Sequence, residues 1–82
     1  GTPLWSYQTG LGVFSVSISS DGSYIAAGSG DDNVYLFSKD DNTPLWSYTT
    51  DWYVKSIAIS SDGSYIAAGS KDTKVYLFSR TS

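Results

Sequence analysis

Carboxylates are the side chains with the most chemical potential here. All eight acids are Asp, at 21, 31, 32, 40, 41, 51, 62 and 72. Asp21 and Asp62 each precede Gly and could act as catalytic carboxylates or cation ligands. Asp-Gly is also the signature of a tight hairpin, in which Asp bonds its own backbone and Gly takes positive φ, and that turn role is expected. Asp31-Asp32-Asn33 gathers oxygen ligands closely enough to suit Ca²⁺ but lacks the full loop pattern, and turn chemistry explains it without a metal. Serine is abundant, yet the chain has neither His nor Cys, so no Ser–His–Asp or Cys–His arrangement can be built. The commonest general base and the commonest metal ligand are missing together. No motif supports a Ser–Lys dyad. No catalytic residue, metal site or cofactor is therefore expected, and the chain reads as a non-enzyme.

Asp forms turns where Glu favours helix, so these positions point to the elements between them. The eleven residues SSDGSYIAAGS at 19–29 return unchanged at 60–70. At this offset of 41 the halves match at 27 of 41 positions, a period typical of solenoids and propellers. The expected division is residues 1–41 and 42–82. Each half splits into four strand-like runs. Leu4–Tyr7 and Leu45–Tyr48 follow Pro3 and Pro44, which suit a strand start or an edge. Val13–Ser19 and Val54–Ser60 alternate apolar with small residues, giving one bulky face and one that permits close approach. Tyr24–Ser29 and its copy are small-residue strands. Val34–Phe37 and Val75–Phe78, VYLF in both halves, are apolar throughout, as strands covered on both faces are. Eight short strands at regular spacing mark an all-β fold.

VKSIAISSDGSYIAAGSKDTKVYLF resembles a WD40-type blade: strand, Asp-Gly hairpin, small-residue strand and Asp turn in that order. VYLFSKDDNTPLWSY is similar to the repeat of quinoprotein (PQQ-dependent) propellers, whose docking Trp would be Trp5 and Trp46. Either resemblance implies a β-propeller of four-stranded blades. The Trp-Asp dipeptide of WD40 repeats is absent, with Phe37-Ser38 and Phe78-Ser79 in its place. Of the family's His–Ser–Asp–Trp tetrad only Ser29 with Asp31, and Ser70 with Asp72, could remain. The acidic, amide and cysteine ligands of quinoprotein cofactor sites are not recognisable.

Two blades are too few for a propeller, which closes with about four to eight. Bare blade flanks are an aggregation hazard, so copies of the chain are the expected partner. In such propellers the outermost strand of a blade comes from the next repeat. Leu4, Trp5 and Tyr7 are therefore expected to pair with Val75, Tyr76, Leu77 and Phe78 of the adjacent subunit, burying Trp5 and Tyr7. Whole two-blade units make eight blades from four chains, the favoured homotetramer, or six from three. The inner strands, Val13–Ser19 and Val54–Ser60, should line the channel with an unpaired backbone edge partnered by ordered water.

The halves disagree most at 8–17 against 49–58, where Leu11-Gly12 becomes Trp52-Tyr53. An aromatic pair on a rim loop could stack on a sugar or anchor a protein; capping the core is the plainer role. A net charge of −3 and a pI near 4.3 argue against a nucleic-acid partner, because phosphate contacts need Lys and Arg. No apolar run approaches membrane-spanning length. A chain that starts and stops on repeat boundaries reads as excised from a longer array or designed, and the divergence between halves leans towards a natural template.

Overall fold

The Asp-Gly turns set the strand layout. In the computed structural model, which describes residues 2–81, Gly22 and Gly63 both take φ 76°. Asp21 Oδ1 accepts from the Ser23 N–H at 3.0 Å and the Ser19 hydroxyl at 2.9 Å, and Asp62 does the same with Ser64 and Ser60. Ser19 and Ser60 close the hairpins by donating their N–H to Tyr24 O and Tyr65 O.

The strands are β1 Val13–Ile18, β2 Tyr24–Ser29, β3 Asn33–Ser38, β4 Trp46–Thr49, β5 Val54–Ile59, β6 Tyr65–Ser70 and β7 Val75–Ser79. They form two antiparallel sheets, ordered β1-β2-β3-β4 and β5-β6-β7. The all-β, blade-like architecture is the expected one, with four strands in the first sheet and three in the second. β4 belongs to the second repeat by sequence and to the first sheet by pairing. Finishing one repeat with a strand of the next leaves the last repeat one strand short, and Leu4–Tyr7 stays outside both sheets.

Each inner strand carries a bulge, between Val13 and Ser15 and between Val54 and Ser56. The extra residues are Phe14 and Lys55, and a bulge of this kind re-aims the side chain it carries. The sheets stack face to face. Ala26, Val34 and Leu36 of the first pack on Val54, Ile57, Ile66 and Ala68 of the second. Each fully buried aliphatic side chain contributes about 1.5–3 kcal/mol. Gly28 permits the approach: a Cβ there would lie 2.5 Å from Val54 Cγ1 and 2.9 Å from Ile57 Cγ1.

The small residues of β1 have a second role. Ile57 and Ile59, on the free edge of β5, donate their N–H groups to Ser15 Oγ at 3.1 Å and Ser17 Oγ at 3.3 Å. The backbone edge expected to rely on water is therefore partnered at these two points by hydroxyls of the preceding sheet.

Candidate functional site

The outer strand of the first sheet works on two sheets at once. β4 pairs with β3 and lays its aromatic side chains across the second sheet. Trp46 lies 5.2 Å from Phe78 between ring centroids, and Tyr48 lies 5.2 Å from Phe78 and 5.7 Å from Tyr76. Trp46 Nε1 donates to Arg80 O at 2.8 Å.

The unpaired N-terminal segment repeats this on the first sheet. Trp5 lies 5.2 Å from Phe37, and Tyr7 lies 5.2 Å from Phe37 and 5.5 Å from Tyr35. Trp5 Nε1 donates to Lys39 O at 2.8 Å. Leu4–Tyr7 thus sits where the outer strand of a preceding sheet belongs, with no such sheet in the chain. The rings of Trp5 and Tyr7 rest on the chain's own Phe37 and Tyr35, which leaves Trp5 half-buried and Tyr7 exposed.

At the other end, no strand among the described residues pairs with the outer edge of β7. Tyr76 and Phe78 face inward onto Tyr48 and Trp46. Val75 and Leu77 are 84% and 70% exposed, whereas their repeat mates Val34 and Leu36, sealed by the second sheet, are 0% exposed. The opposite flank is equally open: Val16 is 64% exposed and its mate Ile57 only 7%. One end bares the surface that covers, the other the surface that is covered.

The Asp turns are fully engaged. Asp31 Oδ2 accepts from the Tyr35 hydroxyl at 2.5 Å and the Gly10 N–H at 2.9 Å, and Oδ1 accepts from the Asn33 N–H at 3.1 Å. The Asp31 N–H donates to Ser29 Oγ, whose own hydroxyl reaches Leu11 O and Gly12 O. Asp72, Tyr76, Ser70 and the Asp51 N–H repeat the cluster. Burial pushes the Asp31 carboxyl up, but the hydrogen bonds it accepts, chiefly from Tyr35, Gly10 and Asn33, outweigh that and hold it below the usual 3.8. Asp72 is lowered by the same balance. Burial first, then the bond to Asp31, pushes the Tyr35 phenol up to about 12; for Tyr76 the bond to Asp72 leads, with the same result. The Ser–Asp remnant of the tetrad is present, completed by a tyrosine hydroxyl and a loop N–H. Sequence reading placed Tyr35 only as an apolar strand residue and Tyr76 as one at the expected subunit contact. Their four-residue spacing from Asp31 and Asp72 was the available signal.

The cluster is structural: it ties the loop entering each sheet to the turn before the third strand. With both Asp31 oxygens accepting hydrogen bonds, the Asp31-Asp32-Asn33 turn presents no ready cation cage. No group of three or more metal-binding side chains converges among the described residues. Asp21 and Asp62 are also lowered, chiefly by the backbone N–H of Ser23 and of Ser64, which suits a turn anchor and not a general base.

Trp52 and Tyr53 stand edge to face at 5.9 Å, and Tyr53 meets Phe14 of the first sheet edge-on at 5.2 Å. Tyr53 is half-buried and Trp52 exposed. The bulge brings Phe14 to this group, a partner not read from the sequence.

Two stacked sheets, the first finished by a strand of the following repeat, define a segment of a β-propeller. The family profile described as "WD domain, G-beta repeat" matches residues 1–38 and 42–79, and the chain belongs to that family. Such repeats build non-enzymatic interaction scaffolds. Among solved structures, the crystal structure of RRP9 WD40 repeats is similar with a TM-score of 0.80 and 21% identity, over 90% of this chain and 24% of that one. The structure of U3-55K is similar to the same degree, over 25% of its length. The chain spans about a quarter of each. No curated protein sequence matches. Of the two resemblances, these comparisons bear out the WD40 one.

Proposed function

We propose that this chain is a non-enzymatic building block whose copies join head to tail into a closed β-propeller. Each copy supplies Leu4–Tyr7 as the fourth strand of its neighbour's second sheet, alongside Val75–Phe78. One observation carries the reading: the aromatic contacts of Trp5 and Tyr7 repeat those of Trp46 and Tyr48 to within 0.2 Å (5.7 − 5.5), although no strand stands behind them. This likeness of side-chain contacts supports reading the segment as a strand to be donated. The bare Val75–Leu77 face at the far end has the composition of the face that β3 buries within the chain.

The contact joins two different surfaces, so it is heterologous and either closes or polymerises. Two blades per chain favour four chains and eight blades, with three chains and six blades as the alternative. Native mass spectrometry of the intact chain should give the tetramer mass. Deleting residues 1–8 should leave monomers or aggregates; an unchanged oligomer would refute strand donation.

A further inference from the structure

Within the chain, one aromatic side chain reaches from the first sheet to the hairpin turn of the second. Tyr24 starts β2, and its ring comes so close to Gly63 that a Cβ there would lie 2.7 Å from it. The Arg80 guanidinium carbon stands 4.5 Å from the ring centroid, a cation–π distance. Arg80 is held in place, since its carbonyl accepts from Trp46 Nε1 and its Nη1 donates to Asp62 O. Alongside, the Ser20 N–H and hydroxyl both donate to Ser61 O at 2.9 Å. Tyr24 is a peg, and its seat is a turn glycine, a cation and the residues around a docking tryptophan.

The repeat builds the same seat on the first sheet, and there it is open. Trp5, Ile18, Gly22, Ile25 and Lys39 border a cavity of about 380 Å³. Each stands 41 positions before a counterpart on the second sheet: Gly63 and Arg80, which meet the Tyr24 ring, and Trp46, Ile59 and Ile66, which share its hydrophobic cluster; only Lys39 differs, keeping the charge. The counterpart of the peg is Tyr65, which is 55% exposed. We infer that Tyr65 of one copy seats in this cavity on the next copy, its ring against the Lys39 side chain. The inference rests on the head-to-tail assembly proposed above and names the contact that fixes its register. A second copy is the occupant because the chain's own filled seat is the template, and the two unmatched halves lie at opposite ends of one molecule. The Ser61 N–H and hydroxyl then meet Ser20 O of the next copy, as Ser20 meets Ser61 within the chain.

A double-mutant cycle on the full chain tests this, read as the assembly dissociation constant in a sedimentation dilution series, with far-UV circular dichroism as the fold control. Tyr65→Ala should weaken each junction on the order of thirtyfold or more, as loss of a buried aromatic anchor does. Lys39→Gln should weaken the wild-type assembly and have no further effect in the Tyr65→Ala background. Lys39→Arg leaves peg and sheet untouched, gives the seat the same cation as its filled twin, and should tighten assembly. A wild-type chain that stays monomeric throughout would overturn the assembly and the peg with it. An assembled wild type with equally tight Tyr65→Ala, with strictly additive effects, or with no gain from Lys39→Arg would overturn the peg and leave the ring standing.

Discussion

A substitution at Gly69 would separate folding of the chain from the assembly proposed for it. Gly28, its mate in the first sheet, has no room for a Cβ, because Val54 and Ile57 of the next sheet stand 2.5 and 2.9 Å from where it would be. At Gly69 the nearest atom is Ser56 Cβ, at an ordinary 3.9 Å. Gly69→Ala is therefore tolerated within a single chain and crowds Val13 and Val16 of the neighbour wherever a junction is built on the internal template. Carbon contacts are optimal at about 3.5–4.0 Å, so one junction must give by roughly 1 Å or more. Overpacking of this size costs about 1–3 kcal/mol, a fall of roughly five- to hundredfold in the association constant of each junction. Closing a ring of four chains would incur it four times. The assay is native mass spectrometry over a dilution series, with thermal unfolding by circular dichroism as the control. Gly69→Ala should keep the fold and lose the ring, whereas Gly28→Ala should destabilise the chain itself. A Gly69→Ala chain that assembles like the wild type would mean that the copies do not meet as the two sheets do.

The hydroxyl caps would differ between the chain's own sheet junction and the proposed one. Within the chain Ser17 accepts from the Ile59 N–H, but in the proposed assembly Ala58 would stand in the equivalent place for the next copy's Ile18. Ala58→Ser should tighten each junction by about 0.5–1.5 kcal/mol, the net worth of one hydrogen bond, visible as a lower dissociation constant; no change would argue against the edge contact. Thr73 is β-branched yet holds φ 74°, where its mate Asp32 holds 75°. A left-handed conformation costs such a residue about 1–2 kcal/mol, so Thr73→Asn should raise the urea midpoint by about 0.5–1 kcal/mol equivalent. The carboxyls of Asp21, Asp31, Asp62 and Asp72 lie below their ordinary 3.8. Their stabilisation is complete above 3.8 and is lost as pH falls through the lowered folded values. Tyr35 and Tyr76, raised from 10.0 to about 12, stabilise fully below 10.0 and lose that as pH rises through about 12. The thermal midpoint should fall at both extremes, and an acid limb unchanged by Asp31→Asn would contradict the Asp31 account.

Much of the fold is legible in the sequence because its signals are local. Asp-Gly with flanking serines specifies the hairpins, and VYLF marks the third strand of each sheet, although only the copy at 34–37 is buried throughout within the chain. Leu4–Tyr7 forms no strand within the chain because pairing is not local: LWSY at 45–48 and LWSY at 4–7 are the same tetrapeptide, and only the presence of a preceding sheet makes one of them a strand. The Tyr35–Asp31 bond was hidden for a different reason. In a strand apolar at every position, a phenol is read by its ring, and its hydroxyl shows only when the turn four residues back is placed beside it. Phe14 was hidden too, since a bulge re-aims a residue without changing its type.

Repetition also favours a ring over a dimer as the end point of the proposed assembly. The Val13–Val16 flank is the repeat mate of the surface that covers β3, and the Val75–Leu77 flank is the mate of the surface that is covered. A two-fold dimer would place like against like: a flank with two vacant tyrosine seats and no peg, or one with two pegs and no seat. Head-to-tail joining satisfies both flanks of every interior copy but always leaves one of each at the ends of an open chain. The exposed cost per copy falls as the row lengthens and vanishes only when its ends meet. Copy number would then be set by the angle between stacked sheets, which the close approach at Gly28 fixes within the chain. A single added methyl at Gly69 is therefore expected to strain every junction of the ring at once.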